Sequence, residues 1–307
     1  MVGHSATAVG AQHAFITGPN GAGMTDLGTL RGGSSLAFDI NDAGQVVGWS
    51  ETAAGTHYGF ITGPNGMGMR GLGTLGGDVS YATGINDAGR VVGYSYTSSG
   101  QTHAFITGAD GAGMTDLGTL GGNQSFAFGI NDAGQVVGYS YIANGNQHGF
   151  ITGPNGVGMT HLGTLDGDWS TTVGINDAGR VVGNFATLPA HAFITGPDGA
   201  GMTDLGTLGG DVSYATEIND AGRVVGYSYT SSGQTHAFIT GADGAGMTDL
   251  GSLVSSPPGS TYFSDATAIN NHGQLVAVAV VPEPEMYAML LSGLGLIGFL
   301  ARGRATA

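Results

Sequence analysis

The sequence predicts an all-β fold: a β-propeller-like ring of six four-stranded repeats of about 45 residues, followed by a C-terminal hydrophobic helix. Three observations carry this. Three short motifs recur in fixed order. Gly makes up 61 of 307 residues, and each Gly in a helix interior costs about 1 kcal/mol relative to Ala. No window before residue 285 sustains a 3.6-residue apolar period.

The chain opens inside a repeat. Val2-Gly3-His4-Ser5 aligns with Val47-Gly48-Trp49-Ser50, so the first strand is a fourth strand without its predecessors. It either completes the ring against the last repeat or implies further repeat sequence upstream. Gln274–Val281 already supplies a last fourth strand, which favours the upstream reading. Met1–Gly18 has neither a basic region nor a long apolar core, so a secretory signal is expected upstream as well.

Each repeat then reads as four short strands. The first is His13-Ala14-Phe15-Ile16-Thr17, which recurs from Tyr58, His103, His148, His191 and His236 at intervals of 45, 45, 45, 43 and 45. Gly-Pro-Asn-Gly or Gly-Ala-Asp-Gly closes it with turn chemistry. The second is Met-Thr-Asp-Leu-Gly-Thr-Leu, whose Leu-Gly-Thr-Leu begins at Leu27, Leu72, Leu117, Leu162 and Leu205, with Leu-Gly-Ser-Leu at Leu250. The third ends on Ile-Asn-Asp-Ala-Gly, with its Asn at Asn41, Asn86, Asn131, Asn176 and Asn219 and a weakened copy at Asn270. Asx side chains can bond their own backbone there, and Gly can take positive φ. The fourth, Arg-Val-Val-Gly-Tyr-Ser-Tyr, is rich in β-branched and aromatic residues. Residues 1–280 thus form one repeat domain. One such sheet cannot bury its own faces, so neighbours must supply the core. An open solenoid or hairpin stack is the rival architecture; closure is favoured because it removes exposed end edges.

Composition excludes several functions. The net charge is −15, with seven basic side chains, so there is no footprint for nucleic acid. Without Cys there is no disulfide framework, thiolate metal site or Cys nucleophile. A 41% hydrophobic content argues against disorder.

Residues 281–307 are different. Pro282-Glu283-Pro284-Glu285 precedes an uncharged run, Met286–Ala301, which is followed by Arg302-Gly303-Arg304. The run is apolar all round, and with its flanks it is long enough to span a bilayer. Acids before it and arginines after it predict a cytoplasmic C-terminus with the repeat domain outside. Gly293, Gly295 and Gly298 match a dinucleotide fingerprint, but no strand precedes them and no crossover unit follows. Close helix packing is the plainer use of these small residues.

The three recurring motifs, over residues 2–280, resemble the bacterial extracellular HAF-repeat family. Val281-Pro282-Glu283-Pro284, the hydrophobic segment and Arg302 with Arg304 resemble the PEP-CTERM sorting signal. The resemblance implies export, recognition by an exosortase-type transpeptidase near Pro282, Glu283 and Pro284, and release or attachment at the cell surface, often alongside exopolysaccharide.

The chemistry-bearing residues are mostly periodic. His13, His103, His148, His191 and His236 share one repeat position and read as structural, while His4, His57, His161 and His272 have no metal-ligand spacing. Asp42, Asp87, Asp132, Asp177 and Asp220 fall in the third-strand turn. Asp26, Asp116, Asp204 and Asp249 fall in the second strand, and Asp78, Asp168 and Asp211 follow Gly. Turn chemistry accounts for most of them. Calcium, which takes six to eight oxygens, is the functional rival, but no EF-hand-like loop occurs. No cofactor is expected.

Catalysis needs an asymmetric constellation, and here asymmetry is scarce. Leu72–Gly118 and Leu205–Gly251 differ only at Gly84 against Glu217. The unique features are Trp49, Trp169, Asp166 and the loop at Pro257-Pro258. Trp169 beside Asp168 could stack on a sugar or fill space between sheets. The expected function is a non-enzymatic, exported binding or scaffolding protein of the cell surface or matrix. A polysaccharide-active enzyme working at the ring's central mouth is the alternative.

Overall fold

The computed structural model describes residues 1–165, 167–186, 189–254 and 262–280. It is all-β, and antiparallel four-stranded sheets repeat along the chain. In unit one an inner strand, Arg31–Ile40, pairs with Val46–Thr52, then His57–Ile61, then the short outer strand Arg70–Gly71. Units two to five repeat this order, with inner strands Gly76–Ile85, Gly121–Ile130, Trp169–Ile175 and Gly209–Ile218. A three-stranded sheet precedes them, from Val2–Ala6, Gln12–Ile16 and Thr25–Asp26. A two-stranded sheet, Tyr262–Ile269 with Leu275–Val280, follows.

The sheets straddle the sequence repeats. Each joins the third and fourth strands of one repeat to the first and second strands of the next. Chain proximity explains this: tight turns such as Asn86–Arg90 and Thr97–Gln101 link successive strands into hairpins. The Leu-Gly-Thr-Leu stretch then crosses to the next inner strand. Units two and three also touch edge to edge, through one parallel bridge between Thr102 and Gln124.

Turn chemistry accounts for the repeated Pro-Asn-Gly and Ala-Asp-Gly segments. Each forms a single 3-10 turn whose middle residue is left-handed, as at Asn65 (φ 55°) and Asp110 (φ 51°). Asn and Asp tolerate that region better than other non-glycine residues.

The core lies between sheets. Val47 and Ile61 of unit one pack with Ala82, Ile85, Val91 and Phe105 of unit two, and the pattern repeats along the chain. The motif phenylalanines Phe60, Phe105, Phe150, Phe193 and Phe238 are fully buried. Buried serines staple the seams: Ser125 Oγ donates to Gly118 O (2.6 Å) and accepts from Ala104 N (2.8 Å).

Each inner strand carries a register shift just before its end, between Ala37 and Asp39 in unit one and between Ala215 and Glu217 in unit five. Such bulges increase local twist and re-aim the residue that follows. Beyond them, the Ile-Asn-Asp ends of the inner strands converge on one channel mouth.

Candidate axial channel and sorting tail

The mouth is a cavity of about 230 Å³, lined by side chains from all six Ile-Asn-Asp or Ile-Asn-Asn segments, from Ile40 to Asn271. Two hydrogen-bonded belts hold it. In the first, each Asn Nδ2 donates to the backbone carbonyl of the Asn one unit on: Asn41 to Asn86, Asn86 to Asn131, Asn131 to Asn176, Asn176 to Asn219 and Asn219 to Asn270, at 3.0–3.1 Å. The same Asn closes its own turn, as Asn176 Oδ1 does by accepting from Arg180 N.

The second belt is acidic. The Asp42 amide donates to Asp87 Oδ1 (3.0 Å), Asp87 to Asp132, Asp132 to Asp177 and Asp177 to Asp220. Asp220 N donates to Asn271 Oδ1. These aspartates therefore clasp the preceding unit, while the neighbouring Asn makes the local Asx bond.

Asn176→Ala is expected to lower unfolding free energy by about 2–3 kcal/mol, because the buried Asn219 O and the partly buried Arg180 N both lose their bonds. Asp177→Ala, at an exposed side chain that accepts one bond, should cost less than half as much. Urea unfolding of both variants checks the ranking.

One residue before each Ile-Asn pair, the strands carry a less regular set of residues. The residue after each bulge is Asp39, Gly84, Gly129, Gly174, Glu217 or Ala268. Glycines bring neighbouring strands close: a Cβ on Gly84 would lie 3.0 Å from Phe128 O of the next unit. Asp39 Oδ2 crosses to unit two and accepts from Ile85 N (3.0 Å), while Oδ1 accepts from Ile40 N (2.8 Å). Glu217 Oε1 accepts from Ile218 N (3.1 Å) and lies against Gly174.

Burial pushes the Asp39 carboxyl up to about 6, against the pull of its two amide donors. Burial, with the Asp39 charge adding to it, pushes Glu217 up to about 7. Two buried carboxyls raised towards neutrality are able to hold a proton near neutral pH. Sequence reasoning passed over Asp39. It met Glu217 only as the single mismatch between two near-copies, and that mismatch was the available signal.

The periodic histidines lie on the outer half of the sheets. Nδ1 of His13, His103, His191 and His236 meets a carboxylate oxygen of Asp26, Asp116, Asp204 and Asp249 at 2.6–2.8 Å. The same aspartates accept the amides of Gly28, Gly118, Gly206 and Gly251 at 2.7 Å. In the unit where His161 replaces the Asp, the buried His148 Nδ1 has no partner among the described residues. Desolvation, then the His161 charge, lowers the His148 pKa.

Trp49 packs against His57 (4.3 Å between ring centroids) and Tyr81, which ties units one and two together. Trp169 is half-buried, joins none of the buried clusters and lines an open cleft with Asp168. Among the described residues, no group of three or more His, Asp or Glu side chains is placed to hold a metal ion. Nor, among them, is any helix long and apolar enough to cross a membrane. Asp166, Pro257, Pro258, Pro282, Glu283, Pro284, the 286–301 segment, Arg302 and Arg304 lie outside the described residues.

Residues 280–305 match the family model of the PEP-CTERM protein-sorting motif. The chain carries a PEP-CTERM sorting motif. That motif implies exosortase processing and an exported, cell-surface protein. No curated protein sequence matches the chain.

Among solved structures, the fold is similar to putative TolB from Agrobacterium tumefaciens (TM-score 0.54, 13% identity, 84% of this chain and 94% of that one). It is also similar to TolB from Acinetobacter baumannii (0.53, 12%, 79% and 61%). A puromycin-hydrolyzing peptidase from Mycobacterium tuberculosis aligns as well (0.56, 12%, 92% and 50%). The chain thus spans 61% of the Acinetobacter TolB and half of the peptidase. At these identities the likeness concerns the fold alone, which is β-propeller-like.

Proposed function

We propose that this PEP-CTERM protein is a non-enzymatic component of the cell surface or matrix. Its HAF-type repeats form a six-unit propeller ring that binds or scaffolds matrix material such as exopolysaccharide. An exosortase-type transpeptidase acts at Pro282, Glu283 and Pro284, while the 286–301 segment holds the chain in the membrane and Arg302 and Arg304 stay cytoplasmic. The sorting-motif match over residues 280–305 is the observation that carries this reading. The near-identical sequences of Leu72–Gly118 and Leu205–Gly251 add support, since repeated surfaces favour multivalent engagement.

The test is fractionation of the full chain in an exosortase-bearing host. Wild-type protein is expected at the surface or in the medium. A Pro282→Ala, Glu283→Ala, Pro284→Ala variant should accumulate unprocessed in the membrane. Identical distribution of the two would overturn the sorting assignment.

A second reading rests on Asp39 and Glu217. A raised pKa is what the general acid of glycoside hydrolysis needs, and Glu217, raised to about 7, is the candidate for that role. A hydrolysis screen on neutral polysaccharides decides between the two. Turnover that Glu217→Gln abolishes would replace the non-enzymatic reading.

A further inference from the structure

Unit four departs from its neighbours at the start of its inner strand. In units two, three and five the inner strand begins two residues after the Leu-Gly-Thr motif's Thr, at Gly76, Gly121 and Gly209. The unit-four strand begins only at Trp169, and Leu165 stands 42% exposed. The local sequence explains the difference. Where the others carry Gly-Gly or Arg-Gly, unit four carries Asp166-Gly167, and Gly167 takes φ +105°. Trp169 is thereby left at a strand start, where the equivalent residues are Ser34, Val79, Gln124 and Val212.

The next consequence falls at the seam with unit three. Thr102 and Gln124 bridge units two and three. At the next seam Gln147 and Trp169 help to line a cleft of about 360 Å³. Its walls are Tyr141, Asn146, Gln147, Asp168, Trp169 and the backbone of Gly145.

The lining states the ligand chemistry. Two half-buried aromatic rings offer flat apolar faces. Two amides and a carboxylate offer planar donors and acceptors, and none of these three side chains bonds another described protein group. No cationic side chain lines the cleft, and Asp168 repels anions, which excludes phosphate and uronic acid. The volume falls within the range of small-ligand sites, about 300–1,000 Å³. A molecule with an apolar C–H face and a rim of neighbouring hydroxyls meets all these conditions.

The geometry points to a binding site for a neutral pyranose, stacked on Trp169 and Tyr141 and hydrogen-bonded by Asn146, Gln147 and Asp168. This deepens the binding reading proposed above by naming its ligand class and its place. Because Trp169 stands where the other units carry Ser34, Val79, Gln124 and Val212, the aromatic wall of this cleft is not repeated at those positions.

The test is titration of the full chain with cellotriose, maltotriose, mannotriose and chitotriose, followed by isothermal titration calorimetry. Heats of binding, measured calorimetrically, report on the wild type and on every variant, Trp169→Ala included. Saturable binding of at least one neutral trisaccharide is expected, with about tenfold weaker binding for Gln147→Ala and loss for Trp169→Ala. Gln147→Ala keeps the test decisive should Trp169→Ala fail to fold, because Gln147 lies at the edge of a hairpin. No saturable response to any of the four sugars would overturn the inference. Binding unchanged in Gln147→Ala or in folded Trp169→Ala would place the sugar elsewhere, overturning this site while leaving the binding module intact. Sorting is read separately by fractionation.

Discussion

Gly138→Ala is expected to destabilise the protein by about 3 kcal/mol or more, and Gly138→Val to prevent folding. Gly138 lies on the second strand of unit three. A Cβ there would sit 1.9 Å from Phe126 O and 2.8 Å from Ala127 Cα. Both obstacles belong to the backbone of the paired inner strand, so no rotamer change relieves them. The same approach recurs at Gly48, Gly93, Gly183 and Gly226, where the carbonyl would be 1.9–2.0 Å away. This accounts for the Gly in every Val-Val-Gly. It permits the inner strand to bulge against its neighbour, and the bulge brings the following residue to the channel. Gly33→Ala is the control. Its new Cβ would meet only the end of the Glu51 side chain, at 3.1 Å, which can swing aside. Thermal unfolding should leave Gly33→Ala near wild type. A Gly138→Ala protein with unchanged melting would contradict the close-approach argument.

Much of this architecture was legible in the sequence, for identifiable reasons. Motifs repeated five or six times locate the strands, because turn residues such as Asn-Asp-Ala-Gly must recur wherever the chain reverses. The grouping of strands into sheets was harder. The repeat begins equally well at any strand, and hairpin proximity, not motif order, decides which strands pair. The histidine partners were within reach. Tyr58 replaces His in the repeat where Gly71 replaces Asp, and the His161 replacement falls opposite His148. Paired departures of this kind mark a contact, and only the separate lists were visible without the fold. Asp39 was hidden for a different reason: in strand sequence Phe38-Asp39-Ile40 looks like one more solvent-facing acid. Only the bulge and the neighbouring strand turn it inward.

The role of Trp169 turned on a strand end. As a fully paired residue it would fill the seam between sheets, which is how an isolated Trp usually reads in a repeat array. The strand begins at Trp169 itself, and the ring lines a cleft. The sorting tail needed no fold at all, since a Pro-Glu-Pro segment, an apolar run and terminal arginines are recognised by order and composition.

The largest pH effect is expected from the channel carboxyls. In the unfolded chain Asp39 and Glu217 ionise near 3.8 and 4.5, and in the folded protein near 6 and 7. Below about pH 4 both are neutral in both states, and burial carries no electrostatic penalty. Between about pH 4 and 7 the unfolded chain releases these protons first, so the folded state binds more, and stability falls as pH rises. Above pH 7 the loss is complete, on the order of 3 kcal/mol for each group at 1.36 kcal/mol per unit. Asp26 runs the opposite way. Desolvation raises its pKa, but the bonds from His13 and Gly28 together with the His13 charge outweigh that and lower it, so its contribution disappears on acidification. Glu217→Gly copies what unit two already carries at Gly84, and it should raise stability at pH 8 by about 3 kcal/mol while changing little at pH 4. Glu217→Gln should follow the same trend with the volume retained. Urea unfolding of the three proteins at pH 4, 6 and 8 measures the difference, and curves that stay parallel across pH would mean Glu217 is ionised in water, not held beside the channel. A cost of about 3 kcal/mol at pH 8 is on the order of a hundredfold in folding equilibrium, for a carboxylate at a position where unit two carries glycine, and this is why Glu217 is tested in the hydrolysis screen as well as in the unfolding series.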